Sequence, residues 1–340
     1  MMVGKILASH LVQPRAFFIF STCIDDLLGS DYEFMTKRLT EHYGIPFVEG
    51  HMNPISMTSA TPPPSNLQRS IYQILLKEGR CESRSNSVNI IGNFVPVDAE
   101  SELYTLLDSA GISEVRQMCA CKTYDEFLLM RSSSYNIMLK TYAELACQDM
   151  AHYLEIPFHL TGLHYLPARI ADEYDQLSAA LGRTLLYQPA MSHCEKVLNE
   201  ARTWLNGLSV AVGANLNGST FEIALLLARL GAHISYLVVY DLSDDDRVFA
   251  KELAAIDGQI PVYCGTAPLM SVTKEAISSA EVAIGFDAAK LSPTAKLLPL
   301  GVDIQPFGFQ AADNLVEGIH SALSSTVSAY ELLYERALVI

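Results

Sequence analysis

Apolar residues fall into two alternating patterns along this chain. Short continuous apolar runs bounded by turn residues, such as Phe17–Phe20, predict strands buried on both faces, as in parallel sheets. The stretches between them have helical character. The first third predicts a strand at Ala16–Cys23, a helix at Leu27–His42, a short strand at Phe47–Gly50 and a helix at Asn66–Gly79. The intervening His51–Ser65 carries four prolines, which forbid regular helix or central strand. The polar linker Arg80–Ser87 predicts a first boundary. Strands at Val88–Phe94, Val115–Cys119 and Tyr135–Leu139 then alternate with helices at Asp98–Ser109, Tyr124–Met130 and Thr141–Leu154, the order of a parallel α/β sheet. Helices at Pro167–Leu181 and Ser192–Leu205 lead to a third alternating stretch. Its strands are expected at Leu208–Val212, His233–Tyr240, Pro261–Cys264, Val282–Phe286 and Val302–Ile304. Its helices are expected at Phe221–Leu230, Asp244–Ala255, near Leu269–Ser279, and from Asp313 to about Glu335. The fold class expected is α/β, with three Rossmann-like doubly wound parallel-sheet domains: a truncated first domain over 1–85, a second over 86–190 and a third over 191–340.

Composition narrows the function classes. The chain has 340 residues, half of them hydrophobic, so sizeable cores are available. A formal charge of −15 argues against nucleic acid, because few cations would displace counterions from a phosphate backbone. Seven cysteines, an odd number in a long chain with no visible signal peptide, point to a reducing, cytoplasmic setting without a disulfide framework. No apolar run reaches the length of a membrane span, so no membrane association is expected.

Several residues have positions suited to chemistry. Cys23 stands where the first strand ends and a helix begins, at the carboxyl end of a strand, where open α/β sheets hold their ligands. Its thiol is either a small buried apolar group or a ligand. The neighbouring Asp25-Asp26 pair suits a helix N-terminus. Gly213–Gly218 is a Gly/Asn turn between strand and helix, either a structural turn or an anion cradle, and Asp241 ends the next strand as in dinucleotide folds. It does not match the dinucleotide G-x-G-x-x-G pattern. Cys119-Ala120-Cys121 sits at a strand end, but its spacing is too tight for a zinc knuckle and no second pair follows it. Cys147 and Cys264 read as core, and His193-Cys194 opens a helix. His51, His159 and His164 follow strands and could line a cleft. No H-E-x-x-H, Walker loop or Ser/His/Asp order is present.

Three stretches together carry a family resemblance. Phe20–Asp31, FSTCIDDLLGSD, resembles the S-x-C-x-x-x-x-(I/L)-G-x-D signature of nitrogenase component 1 proteins. VNIIGNF followed by a helix, LLDSAGI and a strand resembles the opening of their second domain. RTWLNGLSVAVGANLNGSTFEIALLLARLGAHI, with VAIGFDAAK and FGFQAADNLVEGI, resembles their third domain. The order and spacing of these stretches, over nearly the whole chain, are the specific part.

The resemblance implies paired subunits that share iron–sulfur clusters, served by an ATP-dependent iron protein. Transferred to this chain, the ligand position of the S-x-C motif is Cys23, expected to hold an iron–sulfur cluster, of 4Fe-4S type, shared at an interface with a homologous component 1 subunit in a homo- or heterodimer. Met1–Arg15 contains no cysteine, so the remaining ligands would come from elsewhere. No Cys lies in Tyr135–Thr141 and no His in Val302–Gly308, the regions matching the ligand positions of the nitrogenase cofactor. No FeMo-type cofactor and no dinitrogen reduction are therefore expected. The function implied is a subunit of a two-component reductase acting on an unknown substrate, tetrapyrrole-like by analogy. The alternatives are a non-catalytic scaffold or assembly subunit, and a metal-free α/β protein binding a small ligand.

Overall fold

The computed structural model describes residues 14–53, 62–240, 242–265, 280–327 and 331–332. Asp241, most of the predicted proline-rich loop, the expected helix near Leu269–Ser279 and the end of the expected C-terminal helix lie outside them. The strands are β1 (Phe17–Thr22), β2 (Phe47–Met52), β3 (Ser87–Ile91), β4 (Glu114–Gln117), β5 (Tyr135–Met138), β6 (Phe158–Leu160), β7 (Ser209–Val212), β8 (His233–Val239), β9 (Val262–Cys264), β10 (Val282–Ile284) and β11 (Lys296–Leu298). The α-helices are α1 (Cys23–Leu27), α2 (Tyr32–Tyr43), α3 (Pro63–Lys77), α4 (Glu102–Ser109), α5 (Tyr124–Leu129), α6 (Glu144–Leu154), α7 (Pro167–Leu181), α8 (Gln188–Leu205), α9 (Thr220–Arg229), α10 (Asp244–Ile256), α11 (Phe286–Leu291) and α12 (Phe309–Ser324). Among the described residues the strands form three sheets, of two, four and five strands, and every strand pairing is parallel. The three sheets fall into two compact units.

The first unit comprises residues up to Phe94 together with Gly111–Gly162. It holds the β1-β2 pair and the sheet of order β4-β3-β5-β6. β3 is buried at every position, and its buried Asn89 donates to the Met130 carbonyl at 2.9 Å and to Asn136 Oδ1 at 2.7 Å. Beneath the sheets Tyr72, Ile74, Leu75, Met130, Cys147, Met150 and Leu154 form one contiguous core. The predicted helix Leu27–His42 forms only from Tyr32, as α2, and a separate short helix, α1, precedes it. Thr22 caps α1 by accepting from the Ile24 N–H, and Asp25 reaches back to the Thr22 N–H at 2.8 Å, a reciprocal capping box. Gly29, at φ +66°, turns the chain out of helical geometry, and Asp31 caps α2. β6, a strand of three residues, has too short a pattern to read in sequence, and it extends the second sheet to four strands.

The second unit comprises Val95–Ala110 and the chain from Leu163 onward. Its sheet order is β11-β10-β7-β8-β9. The strand expected at Val302–Ile304 does not form. The Val302 and Ile304 carbonyls accept instead from the Asn217 side-chain amide, at 3.1 and 2.6 Å, and the edge strand is β11. α9 packs as a nearly wholly buried helix, the expected consequence of an apolar sequence on every face. α12 starts at Phe309, four residues earlier than expected, because Glu102 caps it from a distant part of the chain. The Glu102 carboxylate accepts from the Phe309 and Gln310 N–H groups at 2.5 and 3.2 Å, and from the Tyr174 hydroxyl at 2.7 Å. α4 is capped by Ser101 rather than Asp98, which accepts from the Asn314 amide at 3.2 Å. No helix among the described residues is long and apolar enough to cross a membrane.

Candidate functional site

Cys23 is the first residue of α1, directly after β1, and is half-buried. The position is the one its sequence context predicts. The parallel register of β1 and β2 sets Ser21 opposite His51. The buried Ser21 hydroxyl lies 2.5 Å from Glu49 Oε1 and 2.8 Å from His51 Nδ1. His51 Nε2 faces Asp26 Oδ2 at 3.4 Å, and Asp26 also accepts from Asn53 at 2.7 Å. His51 therefore lies inside β2, and its ring is held between two carboxylates by the strand register. These groups hold the end of the β1-β2 pair and the start of α1 in place.

The surface around Cys23 is unusual for so small a helix. Leu27 is 86% exposed, Leu28 76%, Ile24 63% and Phe20 62%, and α1 buries no residue. These open apolar side chains lie close in sequence to a half-buried thiol.

The other cysteines do not join Cys23. None of the seven cysteines forms a disulfide. Cys147 is buried in α6, where burial pushes its thiol up to about 12, and it is a core group. Cys194 is buried in α8 and Cys264 is exposed at the end of β9. Cys119 lies within a short 3-10 turn after β4, and Cys121 follows it directly. The Asn93 amide donates to Cys119 Sγ at 3.4 Å, and Cys121 Sγ–H donates to the Gln117 carbonyl at 3.3 Å. Burial pushes the Cys119 thiol up to about 11, so it is not poised as a thiolate.

The Gly213–Gly218 turn is filled by protein carboxylates. Asp287 Oδ2 accepts from the Ala214 and Asn215 N–H groups at 2.7 and 3.2 Å. The Ser219 hydroxyl, at the start of α9, donates to Asp246. The space left is a cavity of about 130 Å³ lined by Gly218, Ser219, Tyr240 and Asp246. A phosphate there would meet two carboxylates, so the turn is a structural one. His164 is likewise structural. Its Nδ1 lies 3.1 Å from Glu222 and its Nε2 3.4 Å from Glu173, while buried Glu222 also accepts from the Tyr165 and Leu166 N–H groups, each at 3.0 Å. Burial opposes the charge on His164, but the hydrogen bonds and negative charge of the two carboxylates outweigh it and push the ring up to about 9.

Comparison with known proteins adds a decisive observation. The model of the nitrogenase component 1 type oxidoreductase family matches residues 7–285. The chain belongs to that family. A curated relative, the nitrogenase iron-molybdenum cofactor biosynthesis protein NifE of Rhizobium meliloti (strain 1021), is 23% identical over 269 residues, covering 73% of this chain and 54% of the relative. The chain thus spans about half the length of that relative. Among solved structures, nitrogenase Cp1 at pH 6.5 superposes with a TM-score of 0.67 at 17% identity, covering 95% of this chain and 78% of the other. Nitrogenase Cp1 at pH 5 gives 0.60 at 15% identity, covering 92% and 72%. At these identities the likeness of the structures is one of fold.

Membership in the component 1 family makes the ligand count around Cys23 the central question. Among the described residues, no three His, Cys, Asp or Glu side chains converge where they could hold a metal ion. Cys23 brings one thiol, and the nearby carboxylates and His51 are spent on one another and on Ser21 and Asn53. The described residues of this one chain therefore do not fit a complete four-iron cluster.

Proposed function

We propose that this chain is a component 1-like subunit of an ATP-dependent two-component reductase, and that Cys23 is one ligand of an iron–sulfur cluster shared with a homologous partner chain. The observation that supports this reading is the surface of α1. A thiol at a strand end, ringed by the exposed side chains of Phe20, Ile24, Leu27 and Leu28, is a half-site, chemically incomplete and sterically open. A partner that buried those side chains would bring its own ligands to the same place. The reductant in this reading is an iron protein, and the substrate is an unsaturated organic molecule rather than dinitrogen.

The test is anaerobic copurification with a longer component 1 homologue, followed by iron and sulfide analysis and EPR. Cluster signal in the pair, reduced by Cys23→Ala, supports the reading. A pair that forms without iron, and in which Cys23→Ala changes nothing, contradicts it.

A second reading has its own support. The curated relative is named as a cofactor biosynthesis protein. In this reading the chain is a scaffold or assembly subunit that uses the same α1 surface to bind its partner. The two readings separate on turnover: substrate reduction that requires this chain excludes the scaffold, and a stable complex without turnover favours it.

A further inference from the structure

A second feature of the first unit stands apart from the Cys23 surface. In the β4-β3-β5-β6 sheet the strand order reverses between β3 and β5, and the carboxyl ends of such a pair are where an open α/β sheet holds a ligand. Two segments leave the sheet there, residues 92–94 after β3 and residues 139–142 after β5. They are fastened to each other. The Leu139 N–H donates to the Ile91 carbonyl at 2.8 Å, and the Tyr142 hydroxyl donates to the Gly92 carbonyl at 2.8 Å. Gly92 is at φ +99°, and a Cβ on it would lie 3.1 Å from both the Lys140 nitrogen and the Ala143 Cβ, so the approach requires glycine. This close fit sets the Lys140 backbone directly against the Gly92 turn.

Lys140 is a cation without a counter-charge. Met138 and Leu139 before it are buried, and Lys140 itself is partly buried. Among the described residues no acceptor takes a hydrogen bond from its ammonium and no carboxylate pairs with it. Burial pushes the ammonium below the ordinary lysine value, and no neighbouring negative charge offsets that. The ammonium still reaches solvent, unlike the shielded polar atoms of this unit. Other cations of the unit are matched: Arg69 pairs with Asp149 at 2.6 Å, Arg116 with Glu114 at 2.6 Å, and Arg131 donates to the Glu78 carbonyl at 2.8 Å. Lys140 also opens the short turn 141–143 that leads into α6, and no side chain caps the turn or the helix. The first amides of α6 therefore bring the positive end of a helix to the same place. Glu144, the acid of that first turn, is exposed and accepts from Gln148 at 3.1 Å.

From this juxtaposition we infer that the crevice at the ends of β3 and β5 binds a small oxyanion, the carboxylate or phosphate of an organic ligand, with the Lys140 ammonium as its counter-charge. A partly buried ammonium with no partner is costly. A charge-assisted hydrogen bond to an oxyanion supplies the partner, and the α6 amides favour the same sign of charge. The site stands whether or not Cys23 holds a cluster, since it uses no residue of the α1 surface.

The test uses the full chain at constant ionic strength, with inorganic phosphate and benzoate as separate probes. A bound probe should slow acetylation of Lys140 by acetic anhydride severalfold, read by mass spectrometry, while exposed Lys122 reacts at an unchanged rate. At ten times its dissociation constant the probe should raise the melting temperature by roughly 2–4 °C. Lys140→Met should abolish that rise. Its own melting temperature without probe should equal or exceed that of the wild type, because an unpaired charge has been removed. Lys140→Arg should keep the rise. Protection by phosphate alone assigns a phosphate ester, protection by benzoate alone a carboxylic acid, and protection by both a site for either headgroup; each supports the proposal. Failure of both probes to protect Lys140, an equal rise in Lys140→Met, or a Lys140→Met protein that melts several degrees below the wild type, the mark of a structural lysine, would overturn it.

Discussion

Two strand–turn–helix junctions in this molecule look alike in sequence and differ in what surrounds them. At β1–Cys23–α1 the strand belongs to a two-stranded sheet, the helix is five residues long, and no side chain of the helix is buried. At β7–Gly213–Gly218–α9 the strand is central in a five-stranded sheet and the helix is buried along most of its length. The second junction has the loop chemistry usually associated with anion binding, yet Asp287 already occupies its free amides. The first has only a short polar turn, and it is the one left open. A junction becomes a site by what its neighbours fail to cover, and that property is written in distant residues rather than in the motif.

The comparison can be broken most severely at the closed end. Glu222 holds two backbone N–H groups and His164 at full burial. Glu222→Ala should therefore cost roughly 3–5 kcal/mol of folding stability in urea, the penalty for leaving buried polar partners unmatched. If the loss is below about 1 kcal/mol, the second unit is not locked through this carboxylate.

The same cluster predicts a pH dependence. His164 is raised from 6.5 to about 9 in the folded chain, so its contribution is fully present below pH 6.5 and is lost as pH rises through about 9. The melting temperature should fall across that window in the wild type, and the fall should flatten in His164→Gln. A fall of equal size in the variant would assign the effect to other groups.

Asp287→Ala should have a smaller effect, roughly 2–3 kcal/mol, because it frees two amides that water can partly reach. It should not create affinity for inorganic phosphate, since Asp246 still faces the same cavity. Phosphate binding in the variant, seen as a rise in melting temperature, would show that Asp287 alone keeps the turn shut.

At the open end the expected stability effect is the smallest. Leu27→Ser and Leu28→Ser should change stability by less than about 0.5 kcal/mol, because both side chains are already in water. Their effect should appear in association with a partner, measured by light scattering after size-exclusion chromatography.

Much of this was legible in the sequence. The alternation of apolar runs and helices predicts three parallel sheets, and the S-T-C context predicts Cys23 at a strand end. What was not legible depends on long-range partners. Glu102, a helical residue of ordinary appearance, determines where α12 begins. Asn217 takes the carbonyls of Val302 and Ile304 and removes a predicted strand. An open cleft lined by Phe18, Leu67, Phe94, Cys119 and Phe127 draws on β1, α3, α5 and the ends of β3 and β4, so no local pattern announces it. Its one readable trace is the C-x-C pair at the end of β4, which reads as a strand-end pair and lines the cleft.

The claim that Cys23 is half of a shared site is tested most directly by the cluster content of the assembled complex. Purified anaerobically with its homologous partner, the wild type should carry iron and inorganic sulfide with a reducible EPR signal. Cys23→Ala should lose that signal while the two chains still copurify. Full iron content and an unchanged signal in Cys23→Ala would contradict the account.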